Sequence, residues 1–167
     1  MKILKQYIRD IFYGANDGII TTFAVVTGAA GAALGDKIIL ILGFSNLIAD
    51  GFSMAASNYL GNRSEHETHN GNAEIDNTRL YKHATATFIS FVLAGSLPLL
   101  PYAFNFGGFL VACLATGVTL FVIGAFLGKI VVHGRWFSWG FRMLLVGGTA
   151  ATIAFIIGRI IGQFLGA

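Results

Sequence analysis

Residues 43–67, GFSNLIADGFSMAASNYLGNRSEHE, form an apolar run that carries Asn46, Asp50, Met54 and Ser57 down one side and ends in an acidic, histidine-bearing tail. At about 100° per residue, Asn46, Asp50, Ser53, Met54, Ser57 and Gly61 share roughly a third of a helix circumference, with Glu65 at its margin. An ionisable carboxylate inside an apolar span is costly to dehydrate, so it faces a bundle interior or a water-filled cavity rather than lipid. The thioether of Met54, one turn from Asp50, adds a soft donor, and the mixture favours a first-row transition cation over magnesium or calcium. Met54 alone reads as gap filler between helices. Only its place on the Asp50 face makes it a candidate ligand.

Composition extends this reading to the whole chain. With 55% apolar and 11% charged residues among 167, and a mean hydropathy of +0.71, there is too little polar side chain to clothe a soluble globule. Several apolar runs reach the roughly 20 residues that a helix needs to cross about 30 Å of hydrocarbon. No alternating apolar/polar pattern recurs, so a membrane barrel is excluded. The expectation is an all-α integral membrane protein, residues 1–167 forming one domain of five transmembrane helices. The net charge of +3 is explained by basic residues at membrane boundaries, and no nucleic-acid partner is implied. A single Cys113 leaves no internal disulfide.

Residues 1–10, MKILKQYIRD, read as a short interfacial helix, or as the start of a signal peptide. Spans are expected at about 12–34, 37–60, 83–102, 109–131 and 142–164, with 61–82 as a polar loop. On the first span Gly14, Asp17, Thr21, Ala24, Gly28, Gly31 and Gly35 share a narrow face, which reads as a helix-packing surface or a dimer seam. The N-terminal segment, the 61–82 loop and the connection before the fifth span hold Lys2, Lys5, Arg9, Arg63, Arg79, Lys82, Lys129, Arg135 and Arg142. These are nine of eleven basic residues, leaving Lys37 and Arg159, so that side and the N-terminus are cytoplasmic. By depth, Asp17 and Met54 are expected level with each other and Asp50 about one turn deeper.

Asp17-Gly18 and Asp50-Gly51 echo each other, a weak sign of internal similarity. Glu65, His66, Glu67 and His69 offer oxygen and imidazole ligands at the inner mouth of the stripe, yet no zinc-type spacing occurs and a solvated loop explains them equally. His83 and His133 are candidates for proton relays or plain interfacial histidines. No GxSxG, Walker loop or Cys/His pair is present, and Asp17-Gly18 lacks the later acids of a two-metal phosphotransferase site, so no enzyme is expected.

YGANDGIITTFAVVTGAAGA (13–32) followed by GFSNLIADGFSMAASNYLGNRSEHE closely resembles the first two helices of the vacuolar iron transporter family. The resemblance implies a homodimeric divalent-metal/proton antiporter that removes Fe2+, and often Mn2+, from the cytosol. Metal is then the transported substrate, with no tightly bound cofactor, and the partners are protons, lipid and a second copy of the chain. It implies a path lined by Asp17 and Met54 and matches the acidic end of the second helix to Ser64, Glu65 and Glu67; by their own placement Asp50, Asn46 and Thr21 are expected beside the path, and Glu65, His66 and Glu67 at the metal entry. Two departures stand out: residues 61–82 are too short for the metal-binding domain many members carry there, and Asn58 replaces an acid that often follows the Ser-Met pair. A prokaryotic plasma (inner) membrane is the expected location. Rival readings are a carrier of another cationic solute and a membrane assembly subunit that transports nothing.

Overall fold

Every long apolar stretch of the chain is helical in the computed structural model. It describes residues 2–70, 76–105, 107–130 and 135–166, and the side chains of these except 2–6, 69 and 70. The candidate side chain of His69, and His133 entirely, lie outside the described residues. Helix α1 runs Lys2–Gly31, α2 Asp36–Asn70, α3 Asn77–Gly95, α5 Gly108–Ile130 and α6 Trp136–Leu165. Between α3 and α5, a 3-10 turn at Leu97–Leu99 and the short helix α4, Leu100–Ala103, carry Pro98 and Pro101 near their starts. Proline lacks the amide hydrogen that a continuing helix needs, so α3 ends there. Asn105, Gly107 and Gly108 all have positive φ and reverse the chain into α5.

Among the described residues, four segments are long and apolar enough to cross a membrane: Asp36–Thr68, Asn77–Ala103, Gly108–Ile130 and Trp136–Leu165. At 30 residues α1 is about 45 Å long and has the length to cross, but Asn16, Asp17 and its threonines and glycines dilute its apolarity. Its position explains why this is tolerated. The helix contacts α2, α3, α5 and α6, and Ile19, Thr22 and Val26 are fully buried. Lipid-type surface is carried by its neighbours instead, as where α6 exposes Ile153, Ile156, Ile157, Ile160 and Ile161.

Three boundaries differ from the sequence-based expectation. The N-terminal segment is not a separate interfacial helix, since α1 continues unbroken from Lys2. Residues 61–70 belong to α2, where polar side chains bond along the helix: Arg63 Nε donates to Glu67 Oε1 at 2.9 Å, Asn62 to the Asn58 carbonyl at 2.9 Å and Thr68 to the Ser64 carbonyl at 2.8 Å. Such pairs let a helix outrun its apolar part into water. On the far side, Asp76 caps α3 by accepting from the Arg79 amide. Trp136 and Trp139 stand in the first turns of α6 rather than in a connecting loop, with the Arg142 guanidinium 5.3 Å from the Trp139 ring.

Small residues set how closely α1 is gripped. A Cβ on Gly14 or Gly18 would strike α3 at the Thr87 or Phe91 carbonyl, and one on Gly31 would strike the Phe155 carbonyl of α6. Gly28 lies against Ala154 and Gly158 of the same helix. These glycines are spent on packing within one chain, whereas Gly35 has nothing within 4 Å. Gly18→Ala and Gly31→Ala are each expected to cost about 1–3 kcal/mol through forced separation of the helices, read as a lower melting midpoint in detergent. Gly35→Ala should stay within about 0.5 kcal/mol. An equal loss at all three positions would show that the seams do not set the packing.

Candidate functional site

The antiparallel register of α1 and α2 places the candidate residues. Asp10 is buried at 7% exposure, and its Oδ1 accepts from Asn58 Nδ2 at 2.8 Å, tying the two helices together. About two turns along each helix from that bond lie Asp17 and Asp50, and their side chains are within electrostatic reach of each other. Both are half-buried, as is Asn46 one turn beyond Asp50. Thr21 donates its hydroxyl to the Asp17 main-chain carbonyl at 2.9 Å, so that hydrogen is held by the helix and only the oxygen lone pairs remain for an ion. Asp17 and Asp50 thus form an acidic pair across the α1–α2 contact.

Met54 sits elsewhere. It lines a groove of about 430 Å³ together with Arg9, Asp10, Tyr13, Ser57, Asn58, Asn62 and Glu65. Sharing that groove with Tyr13 places it about one turn nearer the Glu65 end than Asp17. The expected level match of Asp17 with Met54 therefore gives way to a match of Asp17 with Asp50. The depth argument counted residues from assumed span ends, whereas the Asp10–Asn58 bond fixes the register directly. Asp17, Thr21, Asn46 and Asp50 lie beyond the groove lining.

At the mouth the acidic residues divide. Glu65 lines the groove, while Glu67 is exposed and paired with Arg63 at 2.9 Å. His66 is half-buried on the same turn. Among the described residues no group of three or more His, Cys, Asp and Glu side chains is placed to hold a metal ion. One chain alone therefore presents a two-carboxylate pair and a sulfur-lined groove rather than a closed cage.

Asp10 is the residue that sequence reasoning missed. Its Oδ2 lies 2.6 Å from His83 Nδ1 of α3, and the Tyr7 ring stands 4.6 Å from the imidazole. Asn62 Nδ2 donates to Asn58 Oδ1 at 2.7 Å and fixes the amide that serves Asp10. The signal was available, because Asp10 precedes Asp17 by about two turns and so shares its face.

Comparison with known proteins agrees with this architecture. The sequence description of the VIT family matches residues 8–83 and 70–159, two stretches that overlap at the α2–α3 connection and together take in most of the chain. A vacuolar iron transporter of Toxoplasma gondii is 26% identical over 233 aligned positions, covering 98% of this chain and 77% of that protein. The alignment is longer than the 167 residues here, so the relative carries segments that this chain lacks. Vacuolar iron transporter homologs 1 and 3 of Arabidopsis thaliana are 27% and 28% identical over 94% and 95% of this chain, each with 84% of its own length covered. With its first three helices and most of the rest matched, the chain belongs to the VIT family.

Proposed function

We propose that this chain carries Fe2+, and Mn2+ as a second substrate, out of the cytoplasm in exchange for protons. The observation that carries the reading is the Asp17–Asp50 pair, set within the length of two apolar-flanked helices and followed by a groove leading past Met54 to Glu65. Family membership and the names of the relatives support a metal ion as the substrate. All 167 residues act as one five-span domain in this reading, α1 being the first span, added to the four apolar ones and shielded by its neighbours. Nine of eleven basic residues fall on the side of Glu65, so that side and the N-terminus face the cytoplasm, and the host membrane is a prokaryotic plasma membrane.

Glu65 and His66 raise the local concentration of cations at the mouth. Met54 offers a soft contact along the groove, and the two aspartates, with Asn46 and the Thr21 oxygen beside them, take the partly dehydrated ion. A carboxylate ligates only when deprotonated, so protons arriving from the opposite side displace the metal. In vesicles, Fe2+ uptake driven by a proton gradient is expected to fall at least about tenfold in Asp17→Asn and several-fold in Met54→Ala. Undiminished uptake in Asp17→Asn would remove that carboxylate from the path, and a strong preference for an organic cation over Fe2+ would favour the rival substrate.

A second copy completes the ligand set in this reading. The outward face of α2 exposes Ser45, Ala49, Ser53 and Ser57 at one-turn spacing, beside exposed Phe44, Ile48 and Phe52. Hydroxyls and small side chains gain little from lipid, but they let a partner helix approach closely. Two chains meeting there would double the carboxylate and thioether donors around one axis. Ser53→Cys is expected to give an oxidised dimer on a non-reducing gel, whereas Val146→Cys on the exposed apolar face of α6 should not. The reverse pattern would place the partner on α6.

A further inference from the structure

We propose that His83, held by Asp10, is a second proton-exchanging group of the transport cycle, placed at the groove and apart from the ion-holding aspartates; this rests on the reading above. The geometry defines which proton moves. A carboxylate offers only acceptors, so the hydrogen in the 2.6 Å contact sits on His83 Nδ1 and the exchangeable proton is the one on Nε2. With Nε2 bare, the imidazole–carboxylate pair carries one net negative charge. With Nε2 protonated, the pair is neutral. The Nδ1–H to Oδ2 bond persists in both states, so the switch changes charge without loosening α1 from α3.

The pair is placed where this charge matters. Asp10 lines the groove that also holds Met54 and Glu65, while His83 keeps 16% of its side chain exposed and can trade a proton with water. Imidazole is the side chain that ordinarily changes charge between about pH 5 and 8. A divalent cation entering the groove and a proton on Nε2 therefore compete for the same negative charge, although they bind to different atoms. The remaining charged groups are Arg9 and Glu65 in the groove, exposed Arg79 and Lys82 on α3, and the exposed Arg63–Glu67 pair on α2. Those six are present in both states of the switch. Asn58, itself oriented by Asn62, supplies a donor that carries no charge, so the histidine alone sets the charge of the pair.

The test is anaerobic Fe2+ uptake by vesicles holding the full chain, with a pH-sensitive dye in the lumen. It compares the unmodified protein with His83→Asn, whose amide can still donate to Asp10 Oδ2 but takes no proton. Unmodified protein is expected to slow by up to about tenfold per pH unit as the Fe2+ side is acidified from about pH 7 to 6, the limit for one competing proton. His83→Asn should flatten that profile to less than about twofold and move fewer protons per ion. A wild-type slope and wild-type proton movement in His83→Asn would overturn the proposal. So would complete loss of uptake in both His83→Asn and His83→Gln with unaltered melting midpoints, since the residue would then be needed for something other than proton exchange. Melting midpoints lowered together with uptake in both variants would overturn it in favour of a purely structural tie. Absence of Fe2+ uptake by the unmodified protein would remove the transport reading, and this proposal with it.

Discussion

A carboxylate within the thickness of a bilayer has to be screened from lipid, and α1 is built to satisfy that constraint. It is the long helix that is not apolar enough over its length to count as a candidate span, and the one in contact with four others. Close wrapping needs backbones in near contact, which Gly14, Gly18, Gly28 and Gly31 permit by removing side-chain bulk on the faces toward α3 and α6. The hydroxyls of Thr21 and Thr27 turn back onto the Asp17 and Ala24 carbonyls, so their polarity is absorbed by the helix itself. Polar chemistry is thus gathered on α1 and the part of α2 that shares the groove with it, while the apolar faces of the other helices take the lipid contact.

Much of this was legible in the residues. Apolar length alone marked Gly108–Ile130 within a residue of its observed ends, and of the 100° stripe on α2 Met54, Ser57, Gly61 and Glu65 line the groove while Asn46, Asp50 and Ser53 do not. What hydropathy could not show is where a helix ends. It marks where water begins, and α2 passes that point by using side-chain pairs such as Arg63–Glu67 to continue. The same limitation applied to α6, whose first turn lies among tryptophans and arginine that read as a connection.

The register of α1 against α2 was illegible for a different reason. It depends on the Asp10–Asn58 bond between residues far apart in the chain, and each of these looks ordinary on its own. Asp10 follows Lys2, Lys5 and Arg9 in a segment whose local pattern suits a membrane surface, so its burial becomes visible only when α2 and α3 close over it. Asn58 stands where an acid is often found in the proteins that this chain resembles. In this chain the amide donates to Asp10 on one side while His83 donates on the other, so the carboxylate is satisfied without a second acid beside it.

The two acidic layers on α1 differ in a way that bears on what each can hold. Asp10 already has one partner on each oxygen, Asn58 and His83, so an incoming cation would share its charge with those two. Asp17 and Asp50 lie within electrostatic reach of each other as like charges, a repulsion that a cation between them would relieve. In the proposed cycle the groove attracts the divalent ion while the deeper pair holds it. Because Asp10 is kept by its hydrogen bonds as a fixed acceptor, its charge can be offset from behind, through imidazole, without placing the proton in the path of the ion. That separation lets a proton influence a metal through space while each keeps its own ligands.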